Sequence, residues 1–389
     1  MQELLLLLLP LAAASGWLAA RRSAGRQKGE CVGETGPVYF RGLNHLLNEE
    51  PDKAIDAFVE MLEVDSDTVE THLALGNLFR RRGEVERAIR IHQNLIARPA
   101  LTREQRAQAL LELGQDYMRA GLFDRAENLF RELKDTKLHV RPALNHLLVI
   151  YEKESDWEAC LEVVDQLEAL TGGKMGLQKS HYHCELALNA KHEGRAADAA
   201  MHLKKALNIY RGCVRANHLQ ARFAADQGDF RAAVRILRQT AERDAGYLPE
   251  VLPEIVANYR QLGDMQGLRD FLTETVEAHP TAAAVSLLAD LIKEEEGEGA
   301  AVAYLEKQLT SSPSLNLLLR CIELNANLPQ GHSAEFLDCL RPHIQRLLED
   351  KPLYQCGHCG FEAKTLHWQC PSCRHWSTIK RKAGNGADA

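Results

Sequence analysis

A spaced pair of residues recurs along the middle of this 389-residue chain and constrains its fold more than any other feature. In each copy, a small or apolar residue stands twelve positions before a second one, as Gly114 stands before Ala126. The first members of these pairs follow one another at intervals of 33 to 39 residues: Gly42, Gly76, Gly114, Leu148, Ala187, Ala221, Val256 and Ala289. Small residues at matched positions let two helices pack closely. The spacing therefore predicts a stack of about eight helix pairs over residues 35–314.

A further set of glycines marks where the first helix of a pair should end. Five of them lie seven residues after the first member of a pair: Gly83, Gly121, Gly194, Gly228 and Gly263. Glycine closes a helix in the left-handed conformation without strain. The combined pattern resembles the tetratricopeptide repeat, a helix–turn–helix unit of about 34 residues. We expect an all-α superhelical solenoid, capped by further helices over residues 315–350.

The amino-terminal segment is the one long apolar run in the chain. Residues 4–20 carry no charge and lie at the lower length limit for spanning a bilayer, and four basic residues follow within residues 21–28. Because positive flanks stay in the cytoplasm, we expect a transmembrane anchor over residues 1–20 and a basic juxtamembrane linker over 21–34. The body then lies on the cytoplasmic side of a membrane. Residues 12–16 also look like a cleavage region, so a cleaved signal peptide and a periplasmic scaffold form the competing hypothesis.

The charge distribution bears on the kind of partner. The net charge is −7, but both ends of the chain are basic and the long middle is acidic. Phosphate contacts need clustered Lys and Arg, so an acidic body argues against nucleic-acid binding. The basic ends suit an anionic membrane surface instead.

Four cysteines near the carboxyl end form the most specific motif. Cys356, Cys359, Cys370 and Cys373 follow the spacing C-x2-C, ten residues, C-x2-C. Two such knuckles form a tetrahedral four-sulfur site, and a segment this short needs the metal to fold. The segment 351–380 resembles a rubredoxin-like metal ribbon that holds one iron or zinc ion, and the residue types leave the choice of metal open. Residues 381–389 are predicted to be a disordered tail.

Other histidines and cysteines are predicted not to bind metal. His358, His367 and His375 flank the motif, but four cysteines already complete a tetrahedron, so we expect surface side chains. The run from His181 to Cys184 lies on a predicted helix, where neighbours point about 100° apart and do not converge.

The ribbon is predicted to dock on the repeats. It carries more apolar side chains than so small a domain can bury alone: Phe361, Leu366, Trp368 and Trp376. The joint between Leu348 and Tyr354 is short and contains Pro352, which limits the reach of the ribbon. We expect it to pack on the last helices or on a neighbouring repeat.

The combination of anchor, repeats and ribbon resembles the lipopolysaccharide assembly protein B family of Gram-negative bacteria over essentially the whole chain. Close stretches include residues 75–80, 87–93 and 370–380. The resemblance implies a non-enzymatic inner-membrane adaptor that regulates lipopolysaccharide level. Its implied partners are the membrane AAA+ protease, the lipid A pathway deacetylase that this protease degrades, a lipopolysaccharide-sensing inner-membrane protein and other lipopolysaccharide assembly proteins. Phosphate-loop, G-x-S-x-G and H-E-x-x-H motifs do not occur in the chain. The alternative function is rubredoxin-like electron transfer on a repeat scaffold.

Overall fold

The computed structural model describes residues 69–325, 340–348 and 352–382, with residues 40–42, 44–45, 48, 50 and 53–57 before them. The predicted anchor and linker over residues 1–34, and residues 383–389 of the predicted tail, lie outside the described residues. Within the described part, no helix has both the length and the apolar character needed to cross a membrane. The chain divides into two compact units, one ending at Ser155 and the other beginning at Asp156.

Both units contain short helices in succession. In the first unit these are α1 (Val69–Arg82), α2 (Val85–Ile96), α3 (Arg103–Arg119), α4 (Phe123–Thr136) and α5 (Val140–Glu154). The second unit contains α6 (Trp157–Thr171), α7 (Gly176–His192), α8 (Ala196–Ile209), α9 (Val214–Asp226), α10 (Phe230–Arg243), a 3-10 turn (Ala245–Tyr247), α11 (Leu248–Leu262), α12 (Met265–Ala278), α13 (Ala282–Glu296), α14 (Glu298–Ser311) and α15 (Leu315–Asn325). Residues 340–348 are also helical. These elements confirm the predicted all-α repeat class.

The predicted capping glycines end the first helix of their pairs. All five adopt positive φ angles between 69° and 91°, in the left-handed region that glycine occupies readily. After α3, for example, the N–H of Leu122 donates to the carbonyl of Tyr117, and the N–H of Gly121 donates to that of Met118. These bonds satisfy carbonyls that the helix end would otherwise leave unpaired. The next helix can therefore begin within two or three residues.

The small residues of the repeat make room for large ones. On α3 of the first unit, a Cβ added to Gly114 would lie 2.5 Å from Cε1 of Phe130 on α4. The Phe130 ring also stacks on His146 of α5, with centroids 4.8 Å apart. Phe130 therefore fills the space between one helix pair and the next. In the second unit, a continuous buried cluster extends from Ala221 on α9 to Leu324 on α15.

The carboxyl-terminal segment forms a small antiparallel sheet. Its strands are β1 (Tyr354–Cys356), β2 (Glu362–Ala363) and β3 (Ile379–Arg381), in the order β2-β1-β3. Tyr354 pairs with Ala363 on one side and with Arg381 on the other. Phe361 and Leu366 are partly buried and pack against the core of the ribbon, which includes Tyr354 and Ile379. The strand β3 thus reaches one residue past the expected boundary at residue 380.

Candidate metal centre and its docking surface

The four cysteines lie on two similar turns. Cys356 ends β1 and Cys359 follows in the first turn, whereas Cys370 and Cys373 flank the second turn. In the first turn the N–H of Gly360 donates to the carbonyl of Cys356, and in the second the N–H of Arg374 donates to that of Cys370. Gly360 and Arg374 both have positive φ angles, of 77° and 59°. The matching backbone conformations direct the four sulfur atoms toward one point.

The distances between the sulfur atoms fit one tetrahedral ion. The Sγ atoms of Cys356 and Cys373 are 3.7 Å apart, as are those of Cys359 and Cys370. All four sulfurs lie within 4.8 Å of one another. A metal–sulfur bond of about 2.3 Å requires sulfur atoms about 3.8 Å apart around a tetrahedron. The donor set and its spacing therefore suit a single iron or zinc ion, as predicted.

The surroundings of Cys356 favour its thiolate. Burial opposes ionisation, but the hydrogen bonds with the Thr378 side chain and with the backbone N–H groups of Cys359 and His358 lower the pKa of Cys356. The Thr378 oxygen lies 3.2 Å from Sγ, and the His358 nitrogen lies 3.4 Å from it. Because thiolates are the form that binds metal, these contacts prepare the site for a cation.

The three histidines of the ribbon stand outside the four-sulfur set. His358 and His375 are exposed, and their rings stack with centroids 3.8 Å apart. His367 is half-buried, and its Nε2 lies 3.4 Å from the hydroxyl of Thr365. The sequence predicted three surface side chains, and His358 and His375 are exposed whereas His367 is only partly so.

One face of the ribbon packs on the repeats of the second unit through Trp376, whose side chain is only 7% exposed. Its ring stacks on His181 of α7 at 4.7 Å, and its edge meets Tyr182 at 5.9 Å. The guanidinium of Arg215 on α9 lies 5.9 Å from the same ring. Aromatic stacking and cation–π contacts of this kind add to the burial of a large apolar surface.

Polar contacts surround this aromatic centre. The Oγ of Ser377 and Nε2 of His181 share a hydrogen bond of 2.7 Å. Lys380 forms an ion pair of 3.2 Å with Asp244, just before the 3-10 turn. The hydroxyl of Tyr354 donates to a carboxylate oxygen of Glu250 on α11. The ribbon therefore contacts α7, α9, the 3-10 turn and α11 together.

A second tryptophan extends the contact. The ring of Trp368 stacks on Tyr247 of the 3-10 turn, with centroids 5.7 Å apart. Of the four apolar residues that the sequence singled out, Trp368 and Trp376 contact the repeats, while Phe361 and Leu366 pack against the core of the ribbon. The predicted docking is confirmed. The contacted elements lie several helices before the last described ones, so the expectation of packing on the last helices or on a neighbouring repeat was wrong about the place.

The docking surface holds His181 in its neutral form. The residue is fully buried, and burial first, then the positive charge of Arg215, lower the pKa of His181 to about 3. Arg215 is held in place by a bond of 2.8 Å to Glu185 on α7. Protonation of His181 would place a positive charge in a buried site without water and close to the Arg215 guanidinium, and both effects are unfavourable.

The side chains of the run His181 to Cys184 have different partners, as neighbours on a helix are expected to have. His181 and Tyr182 face the ribbon, Nδ1 of His183 lies 3.2 Å from Nδ1 of His202 on α8, and Cys184 is buried beside Cys213. The docking role of this run was missed from the sequence. The one signal that could have suggested it is the cluster of aromatic and imidazole rings at adjacent helical positions.

A stack of helix pairs that holds a four-cysteine ribbon defines a class of helical-repeat proteins with an attached metal domain. Residues 71–107 match the tetratricopeptide repeat family, and residues 354–381 match the family described as rubredoxin metal binding domain. The chain is 40% identical over 381 residues to lipopolysaccharide assembly protein B of Escherichia coli strain K12, with 98% of each chain covered. The corresponding protein of Haemophilus influenzae is 36% identical over 389 residues, again with 98% of each covered. The chain belongs to the lipopolysaccharide assembly protein B family.

Solved structures similar to this chain include the MamA protein and the Naa15/Naa10 complex bound to HypK-THB. The MamA structure is 21% identical, covers 46% of this chain and 94% of its own, and has a TM-score of 0.35. The Naa15/Naa10 structure is 13% identical, covers 82% of this chain and 47% of its own, and has a TM-score of 0.44.

Proposed function

We propose that this protein is a non-enzymatic inner-membrane adaptor that regulates lipopolysaccharide level. In this role it brings the lipid A pathway deacetylase to the membrane AAA+ protease and so promotes degradation of the deacetylase. A lipopolysaccharide-sensing inner-membrane protein restrains it, and other lipopolysaccharide assembly proteins share the repeat surface. The observation that carries the proposal is the family relationship, which spans 98% of this chain and of its relatives.

The repeats supply binding surface in this proposal. Stacked helix pairs present extended surfaces that suit protein partners, and each pair can carry different side chains on the same backbone. An anchor over residues 1–20 would hold this surface beside a membrane protease, with the body on the cytoplasmic side. Tethering of this kind raises the effective concentration of a bound client near the protease without any new contact.

The metal ion has a structural role in this proposal. Cys356, Cys359, Cys370 and Cys373 hold one iron or zinc ion, which supplies most of the folding free energy of the ribbon. The folded ribbon then keeps Trp368 and Trp376 in place against the second unit. Since these contacts join α7, α9, the 3-10 turn and α11, the ion fixes the arrangement of these repeat elements.

Depletion of the protein tests the adaptor function. After depletion, the half-life of the deacetylase should lengthen and its level should rise. The wild-type chain should restore rapid turnover, whereas Cys370→Ser should not, because its ribbon cannot close around the metal. An unchanged half-life after depletion would overturn the adaptor proposal.

Electron transfer is the second candidate, and the match to a rubredoxin metal binding domain favours it. Cys359 is exposed, so one edge of the site is open to a redox partner. Metal analysis and cyclic voltammetry of the purified chain distinguish the two functions. An iron site with a reversible wave supports electron transfer, while zinc, or iron without a reversible wave, excludes it.

A further inference from the structure

Two exposed histidines lie beside the four-sulfur site. His358 belongs to the first cysteine turn and His375 follows the second, and their rings stack at 3.8 Å with 21° between the planes. One nitrogen from each ring and the Sγ of Cys373 lie within 4.8 Å of one another. Cys373 is also a member of the four-sulfur set. The two groups of ligands therefore share one sulfur atom.

The orientation of His375 suits metal binding. Its Nδ1 donates to the carbonyl of Cys373 at 3.0 Å, which leaves Nε2 as the nitrogen with a free lone pair. Histidines that bind metals commonly donate their other ring nitrogen to a backbone carbonyl in this way. His358 lies against this fixed ring, so the two imidazoles are held as neighbours before any ion arrives.

The charge of the first site favours a second cation. Four thiolates around a divalent ion leave an excess of two negative charges, and a thiolate sulfur has lone pairs left for a second metal. Imidazole and thiolate together are the ligands that zinc and similar borderline cations prefer. The negative charge that attracts a cation and the nitrogen and sulfur atoms that bind it are therefore at the same place.

A movement of one ligand is needed to close the site around an ion. Metal–nitrogen bonds of about 2.0–2.1 Å and metal–sulfur bonds of about 2.3 Å place tetrahedral ligands about 3.3–3.6 Å apart. The present spacing of up to 4.8 Å must shrink by about 1 Å. The two stacked rings lie in nearly parallel planes, so the exposed His358 ring must also rotate off His375 before both nitrogens can point at one ion.

We propose that His358, His375 and Cys373 form a second metal site that takes a divalent ion of the zinc class. The Sγ of Cys373 bridges the two ions, and water completes the coordination of the outer one. This site has three protein ligands, one of them shared, and it is open to solvent. It therefore fills after the four-cysteine site and loses its ion more readily.

Metal stoichiometry tests this proposal on the full, untagged chain in detergent. The protein is dialysed to equilibrium against buffered zinc at rising free concentration, and the bound zinc is measured by elemental mass spectrometry. The wild-type chain should bind two ions in separate steps, and the His358→Ala/His375→Ala variant should bind one. The matched variant His367→Ala changes a ribbon histidine outside the cluster and should still bind two.

A second pair of imidazoles needs its own control. His183 and His202 have ring nitrogens 3.2 Å apart, so they are the other pair of neighbouring histidine nitrogens that could bind zinc among the described residues. The His183→Ala/His202→Ala variant should keep both ions. Loss of the second ion in this variant, or its retention in His358→Ala/His375→Ala, would overturn the proposal, as would a wild-type chain that binds a single ion. Cobalt substitution gives an independent readout, since a sulfur-to-cobalt absorption change should accompany the second equivalent and be lost with His358 and His375.

Discussion

Acidification should loosen the docked ribbon, because His181 has to stay uncharged on the docking surface. Burial, followed by the positive charge of Arg215, lowers the pKa of His181 from 6.5 to about 3. His181 therefore binds fewer protons when the ribbon is docked than when the ribbon has left and the imidazole is exposed. Docking is therefore fully favourable above about pH 6.5 and weakens as the pH falls from there toward about 3.

The size of the effect follows from the shift. Each pH unit inside this window changes the docking free energy by up to about 1.4 kcal/mol, which is a factor of about ten. A change from about pH 7.5 to about pH 5.5 crosses roughly one unit of the window, so the undocked fraction should rise up to about tenfold. The nearby charge of Arg215 remains in both states and does not reverse the sign.

Hydrogen exchange of the full chain can measure this effect. Peptides from α7 and from β3 should exchange faster at the lower pH, after correction for intrinsic rates, while the metal content is followed in the same samples. In His181→Gln the group that titrates is gone, and the pH effect should disappear. His183→Gln is the matched control on the same helix. Burial, then the positive charges of His202 and Lys205, lower the pKa of His183 to about 4, but the side chain faces His202 on α8 instead of the ribbon. It should keep the wild-type pH effect.

An equal rise in exchange for His181→Gln and the wild-type chain, with metal retained in both, would refute this reasoning. Another group would then control docking, and the buried imidazole would have a packing role alone.

Three further predictions concern packing, metal and tether. Gly114→Ala should lower the free energy of unfolding by about 1–3 kcal/mol, because its Cβ would overlap the Phe130 ring. Adding Phe130→Leu to the same chain should recover part of this loss. Equal melting temperatures of the wild-type chain and Gly114→Ala would contradict the prediction. Cys356→Ser should bind no ion at the four-cysteine site, and the helices that contact the ribbon, α7, α9 and α11, should become less protected from hydrogen exchange. Unchanged protection of these helices would mean that docking does not depend on the metal. Deletion of residues 1–20 should move the chain from the membrane fraction to the soluble fraction and slow deacetylase turnover, and undiminished turnover would show that tethering is not needed.

Local spacing explains why so much of the fold could be predicted. The pair Gly114 and Ala126 and the capping Gly121 lie within fifteen residues, so their geometry is set by one helix pair and its turn. The same holds for the four cysteines, which lie within eighteen residues and form two similar turns. The backbone of a helix pair, or the coordination of a metal ion, requires these residue types at these spacings. Few other local structures satisfy the same requirement, so the spacing alone predicts the structure.

The place where the ribbon docks was decided by the tertiary structure alone. His181 and Ser377 are 196 positions apart, and Tyr354 and Glu250 are 104 apart, so no period or spacing links them. The sequence determined that the ribbon carries more apolar surface than it can bury, and hence that it needs a partner. It could not determine which repeat that partner is, because the aromatic, basic and acidic groups on α7, α9 and α11 become one surface only when the helices stack. The second metal site has the same origin, since His358 and His375 become neighbours only after the two cysteine turns close.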